Sequence, residues 1–191
     1  MIFGSDLEWS KSGIDVLGLA WDEGLTATAT ARTPESLEQY LGILRRADHV
    51  VMHNGIDADL VQLGKEGIDT SRLLPKIFDT RLALHASHGH LAGSGSYDLR
   101  SMVILLNGRQ GQRFPLDWKA YESNIHKTCA LDAAAALWCH PTLSRLIGAG
   151  KLEDVVKVSH AVQPIFSRMH AQGVRLDRLV LEKIYAARKQ S

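Results

Sequence analysis

Within its first thirty residues this chain makes three β-rich runs joined by connections too short for a helix. Met1 to Asp6 is short and apolar, and Ile14 to Trp21 is a second run. Asp22-Glu-Gly24 turns into Leu25 to Thr30, which alternates at period two. Strands linked so tightly favour an antiparallel meander, so the fold must begin as a sheet and find helices to cover it.

The helices come next. Thr33 is placed as an N-cap, with Pro34 at the first helical position and Glu35 in the first turn. Leu37, Tyr40, Leu41 and Leu44 then give one buried stripe. Val50 to Met52 is a short buried strand, residues 57 to 66 are helical up to Gly67, and Pro75 to Phe78 is a further strand ending at Asp79-Thr80. Beyond it the chain becomes mainly helical. A small-residue loop at Ala92 to Ser96 precedes a helix from Tyr97 to Leu106, and an Ala-rich helix is expected over about residues 122 to 140. Gly148-Ala-Gly150 is the expected linker. After it, Val155, Val158, Val162, Ile165 and Met169 form a helical stripe stopped by Gly173. Asp177 can cap one more helix, with Leu176 and Leu181 as a hydrophobic staple. Three strands, a helix, a strand, a helix and a strand describe an α/β fold, a mixed sheet with helices packed on it.

Charge and length exclude little. With 22 basic and 21 acidic residues the net charge is +1, unlike a general nucleic-acid coat but compatible with a local cleft. No apolar run approaches the ~20 residues of a membrane span, so no membrane partner is expected. No basic segment leads into a long apolar one, so no signal peptide is expected either. Cys129 and Cys139 lie in one expected helix, too far apart to bridge within it, and read as free thiols of a reducing cytoplasm.

Four acids carry the chemistry. Asp6 and Glu8 stand at i and i+2 on a strand, so both point to one face. Asp59 follows His53-Asn54-Gly55 after a buried strand and falls in the first turn of a helix, with Asp57 as a competitor. Asp132 is a lone acid in Cys129-Ala-Leu-Asp-Ala-Ala-Ala-Ala136, where an unpaired charge is costly to bury. If the fold gathers them, four hard oxygen donors suit two divalent cations such as Mg²⁺ or Mn²⁺, the usual apparatus for phosphodiester cleavage. The alternatives are a solvated strand end, an ordinary helix N-terminus and a solvent-facing Asp132. His85, His88 and His90 lack a cysteine or acid at ligand spacing and read as solvated rather than zinc-binding.

Together these segments resemble the 3′–5′ proofreading exonuclease domain of family A, phage-type DNA polymerases, in the DEDD (DnaQ-like) superfamily. Phe3-Gly-Ser-Asp6-Leu-Glu8 is similar to its first motif, His53-Asn54 through Asp59 to the second, and Cys129-Ala-Leu-Asp132 to the third. Phe78-Asp79-Thr80 and Tyr97-Asp-Leu-Arg-Ser-Met102 are similar to its connecting segments. The resemblance implies a ribonuclease H-like mixed sheet, three antiparallel strands followed by parallel ones with helices on both sides. It also implies an exonuclease domain over residues 1–147 and Asp59 rather than Asp57 as ligand. Met169 to Asp177 resembles the passage that opens the polymerase module, so residues 151–191 are expected as the start of that module, with its remainder as a missing partner.

The resemblance further implies two-metal hydrolysis of a DNA 3′ end or frayed primer terminus, releasing 5′-monophosphates in a bacterial or phage-infected cytoplasm. Asp6, Glu8, Asp59 and Asp132 would hold the two cations. Leu7, His53 and Asn54 would meet substrate, and Trp9 would mainly pack. The family carries Tyr four residues, or His five, before the third-motif Asp to orient the attacking water. Here those positions are Thr128 and Lys127, with His126 one residue off register. Thr128, on the same helical face as Asp132, is the expected substitute, and Tyr121 is another candidate. A catalytically inert scaffold and a 3′–5′ exoribonuclease of the same superfamily are the rival expectations.

Overall fold

The computed structural model describes residues 1–24, 26–89, 97–110, 113–114, 118–120 and 123–172. They form an α/β fold built on one five-stranded mixed sheet, in the order β3-β2-β1-β4-β5. β1 (Ile2–Ser10), β2 (Gly13–Trp21) and β3 (Thr26–Ala31) make the expected antiparallel meander. β4 (His49–Met52) lies parallel to β1, and β5 (Ile77–Asp79) parallel to β4. The turn between β2 and β3 places Asp22 and Glu23 at positive φ (52° and 55°) ahead of Gly24 at 88°.

β1 runs four residues past its expected end at Asp6, because the hairpin with β2 pairs out to Ser10↔Gly13. The register slips between Glu8 and Trp9, a bulge that re-aims the end of the strand.

Helices cover both faces. α1 (Pro34–Arg46) starts at a reciprocal capping box. Thr33 Oγ1 accepts from Ser36 N at 3.1 Å, and Ser36 Oγ accepts from Thr33 N at 2.7 Å. Its expected stripe of Leu37, Tyr40, Leu41 and Leu44 is buried, packing with α2 (Asp59–Lys65) against Leu7, Leu17 and Leu19 of the sheet. On the other face α3 (Thr80–Ser87), α4 (Leu99–Gln110) and α5 (Ile125–Gly150) enclose Ala20 and Val51. α3 begins directly at the end of β5 and α4 two residues later than expected. The loop at Ala92 to Ser96 lies outside the described residues.

α5 lies closest to the sheet, and glycines are the reason. A Cβ on Gly4 would stand 2.2 Å from the Ala133 carbonyl oxygen, and one on Gly18 would stand 2.7 Å from Cys129 Sγ and 2.8 Å from the Cys129 carbonyl oxygen. Each is shorter than any relaxed contact, and most of these atoms are backbone, which cannot swing away. Overpacking of this kind costs about 1–3 kcal/mol. Gly4→Ala is therefore expected to lower the melting temperature by several degrees, followed by circular dichroism; an unchanged melt would mean that α5 has room to retreat.

Two expectations are corrected here. α5 does not stop near residue 140 but continues through Pro141, and Gly148-Ala-Gly150 is its last turn rather than a linker. Lys151 ends the helix in the left-handed region (φ 53°), its N–H bonding the Gly148 carbonyl while Leu152 N bonds that of Ile147. α6 (Glu153–Gln172) follows at once. Its predicted stripe is not the buried face: Val155, Val158, Ile165 and Met169 are exposed, while Val156 and Ser167 turn inward. Val156 joins the α5 core and the Ser167 hydroxyl donates to Asp57, and these two anchors set the rotation of the helix. Asp177, Leu176 and Leu181 lie outside the described residues. Both cysteines are free and buried. Among the described residues no helix is long and apolar enough to cross a membrane.

Candidate metal centre

Alternation along β1 sends Leu7 into the core beneath α1, 2% exposed, and sends Asp6 and Glu8 to the face covered by α5. The register partner of Asp6 on β2 is Gly18, over which Cys129 sits. Cys129 Sγ is 3.5 Å from the Asp6 carbonyl oxygen. One helical turn on, Ala133 touches Gly4. Asp132 is thereby held at the level of the two strand acids. One oxygen from each of Asp6, Glu8 and Asp132 lies within 4.8 Å of the others.

Asp59 comes from the opposite side. It is the first residue of α2, 3% exposed, and its Oδ1 has no hydrogen-bond partner among the described residues. Its charge acts on Asp6 more strongly than that of either other acid. The loop that delivers it is pinned from below by Asp79. This buried carboxylate accepts from Asn54 N (3.1 Å) and Ile56 N (3.2 Å), and also caps α3 through Arg81 N (3.0 Å) and Leu82 N (3.3 Å). Asn54 takes a left-handed φ of 61°, which Asn tolerates better than most residues.

The electrostatics record what this gathering costs. Burial, then the charges of Asp59, Asp132 and Glu8, push the Asp6 carboxyl well above the usual carboxylate range. Burial, then Asp132, raises Glu8. Burial raises Asp132 too, opposed by a hydrogen bond from Trp118 and the charge of Arg100. Asp59 is pushed up to about 8, chiefly by burial, although the backbone amides of Asp59 and Leu7 pull it down. Four acids that resist ionisation together are relieved by a hard divalent cation. The donor set and the buried, unpartnered Asp59 Oδ1 both fit one.

Other sequence candidates fall as follows. His53 is tied through both ring nitrogens, Nδ1 to Thr80 Oγ1 (2.9 Å) and Nε2 to the Tyr97 carbonyl (3.0 Å). Asn54 Oδ1 accepts from Arg81 Nη1 at 2.9 Å, and His53, Asn54, Arg81 and Tyr97 share a cleft of about 420 Å³. Thr128 is half-buried one turn ahead of Asp132. Asp57 is exposed and bonded by Ser167. Tyr121 and His90 lie outside the described residues. His85 packs against Tyr97, whereas His88 is buried beside Ser87 rather than solvated.

Two participants were missed from sequence. Trp118 Nε1 donates to Asp132 Oδ1 at 2.6 Å, with the Arg100 guanidinium 5.8 Å from the centre of its ring. Asp79 was noted only as part of a connecting segment, though an acid directly ahead of a helix is itself a capping signal. No protein-family model and no curated protein matches this chain.

Proposed function

We propose that this chain is a metal-dependent 3′–5′ exonuclease with a ribonuclease H-like fold, akin to the proofreading domains of family A DNA polymerases, acting on single-stranded or frayed DNA 3′ ends. The observation that carries the reading is the convergence of Asp6, Glu8 and Asp132 within 4.8 Å beside the buried, unpartnered Asp59. The mixed sheet, with helices on both faces and the acids at the carboxyl end of parallel β1 and β4, supports it.

In this reading Asp6, Glu8, Asp59 and Asp132 hold two Mg²⁺ or Mn²⁺ ions, which would make a water nucleophilic and stabilise the leaving oxygen. Water attacks the terminal phosphorus, the P–O3′ bond breaks, and a 5′-mononucleotide leaves with the shortened strand carrying the 3′-hydroxyl. Thr128, one turn ahead of Asp132, would orient the water through its hydroxyl. Trp118 keeps one Asp132 oxygen in place and leaves the other for the cation. Trp118→Phe retains the packing and removes the donor. It is expected to weaken Mn²⁺ binding by about 10–100-fold, the usual penalty for losing an outer partner of a metal ligand, measured by following the melting temperature against Mn²⁺ concentration.

The direct test is incubation with 5′-labelled single-stranded DNA, and with RNA of the same sequence, in Mg²⁺, Mn²⁺ and EDTA. A metal-dependent ladder shortening from the 3′ end supports the proposal, and the faster substrate identifies the sugar. A preference for RNA turns the reading to an exoribonuclease. No cleavage of either substrate in either metal discards the enzyme and leaves the scaffold reading.

A further inference from the structure

A cleft of about 850 Å³ lies where the proposed chemistry does not reach, between the β1–β2 hairpin and the outer half of α2. We propose that it is a binding groove for single-stranded nucleic acid, in which a base stacks on Trp9 and backbone phosphates are held by Lys11 and Lys65. The inference rests on the nuclease reading for its purpose, which is to hold the strand that leads away from the acid cluster.

The groove shares β1 and α2 with that cluster. Trp9 directly follows Glu8, past the bulge in β1. On α2, Gln62 is one turn beyond Asp59 and Glu66 lies just past the helix end, about a further turn on. Trp9 is 39% exposed, a large surface for an indole on a strand. Its ring is not loose. With its amide oxygen turned inward, Gln62 accepts from Trp9 Nε1 at 3.2 Å and from Lys65 Nζ at 3.3 Å. A fixed, half-open aromatic face beside lysines is what sequence-tolerant binding of single strands uses.

The charge balance is also suited to phosphate. Among the described residues Glu66 is the one carboxylate lining the cleft, and it is already engaged. Arg32 Nη2 bonds its Oε2 at 2.7 Å, and Ile14 N bonds its Oε1 at 2.9 Å. Arg32 and Glu66 cancel, which leaves Lys11 and Lys65 as the net charge of the groove. Both are exposed, and neither forms an ion pair among the described residues. In a chain with a net charge of only +1, this local excess is the means of attracting a polyanion.

The test is binding of a 5′-fluorescein oligo(dT) octamer to the full chain in EDTA, by anisotropy across a salt series. Trp9→Ala is expected to weaken binding by about tenfold or more, with the salt dependence unchanged, because stacking is uncharged. Lys11→Ala/Lys65→Ala is expected to weaken binding and flatten the slope of log Kd against log salt by about 1.4, since each phosphate contact to a single strand contributes about 0.7. All three side chains are at the surface, and melts of the variants establish that they fold. Wild-type affinity in both variants overturns the proposal, and so does failure of the wild type to bind the octamer. The Mn²⁺-induced rise in melting temperature, read on the same proteins, reports the acid cluster alone. Octamer binding without that rise would keep the groove and discard the nuclease; the rise without octamer binding would do the reverse.

Discussion

Asp6→Asn is expected to reduce the proposed metal-dependent DNA cleavage by about a thousandfold or more and at the same time to stabilise the metal-free protein. The paired effects are expected because Asn keeps the volume and one oxygen of Asp but removes the charge. The lost charge is a cation ligand in the proposed reaction, and effects of this size follow when charge stabilisation in a buried site is removed. The same charge is one that Glu8, Asp59 and Asp132 repel when no cation is bound, and its removal relaxes a carboxyl that burial already disfavours. Asp132→Asn should behave alike. Asp57→Ala, exposed and turned toward α6, should leave activity within about twofold, an ordinary result for a surface substitution. Activity and melting temperature of the three variants check this together. Full activity in Asp6→Asn would remove the acids from the chemistry, and a fall in its metal-free stability would contradict the electrostatic account.

Divalent cation and pH act on the same group of charges. With Mn²⁺ at a hundredfold excess over its Kd, stabilisation is about 2.7 kcal/mol, and at this chain length each kcal/mol raises the melting temperature by about 2–4 °C. A shift of about 5–10 °C over EDTA is expected. The sign of the pH effect follows from where the proton sits. Asp59 holds its proton up to about 8 in the folded protein, whereas the unfolded chain releases it near ~3.9. Between those values the folded state binds more protons, so metal-free stability falls as pH rises through the window. Metal binding needs the ionised acids, so the Mn²⁺-induced shift grows over the same range. His53, His140 and His160 are held below the usual histidine value, mainly by burial, and act oppositely below about 6.5. The contribution of Asp59 is therefore read as wild type minus Asp59→Asn, in EDTA, by melting from pH 5 to 8.5. A difference that does not change with pH would mean that Asp59 is already ionised in the fold.

How much of this was legible in the sequence depended on how local the cause was. The strands β1 to β3, the Thr33 cap and the stripe of α1 follow from period and capping, and the structure has them. Asp132 was conspicuous because an acid amid alanines must be explained by something outside its helix. The continuation of α5 through Pro141 was not legible, since propensity argues for a stop there and packing against the sheet overrides it. The outward rotation of the apolar side of α6 could not be read from spacing, because anchors on two other elements set it. Trp118 reaches Asp132 from fourteen residues away through a connecting segment, with no pattern to announce it. Gly4 and Gly18 did carry a signal, since glycine inside a strand often marks close backbone approach.

Those glycines have a consequence for which ions the proposed centre would take. The gap between β1 and α5 closes to the Ala133 carbonyl against Gly4, so the spacing of Asp132 from Asp6 and Glu8 has a lower limit. A smaller ion cannot draw the helix further in and would be met by carboxylate rotation alone. Mg²⁺ and Mn²⁺ are compact and demand a fixed shell, whereas Ca²⁺ takes longer bonds and more ligands. How closely the acids of the proposed centre can approach one ion is thus a property of two missing methyl groups as much as of the four acids.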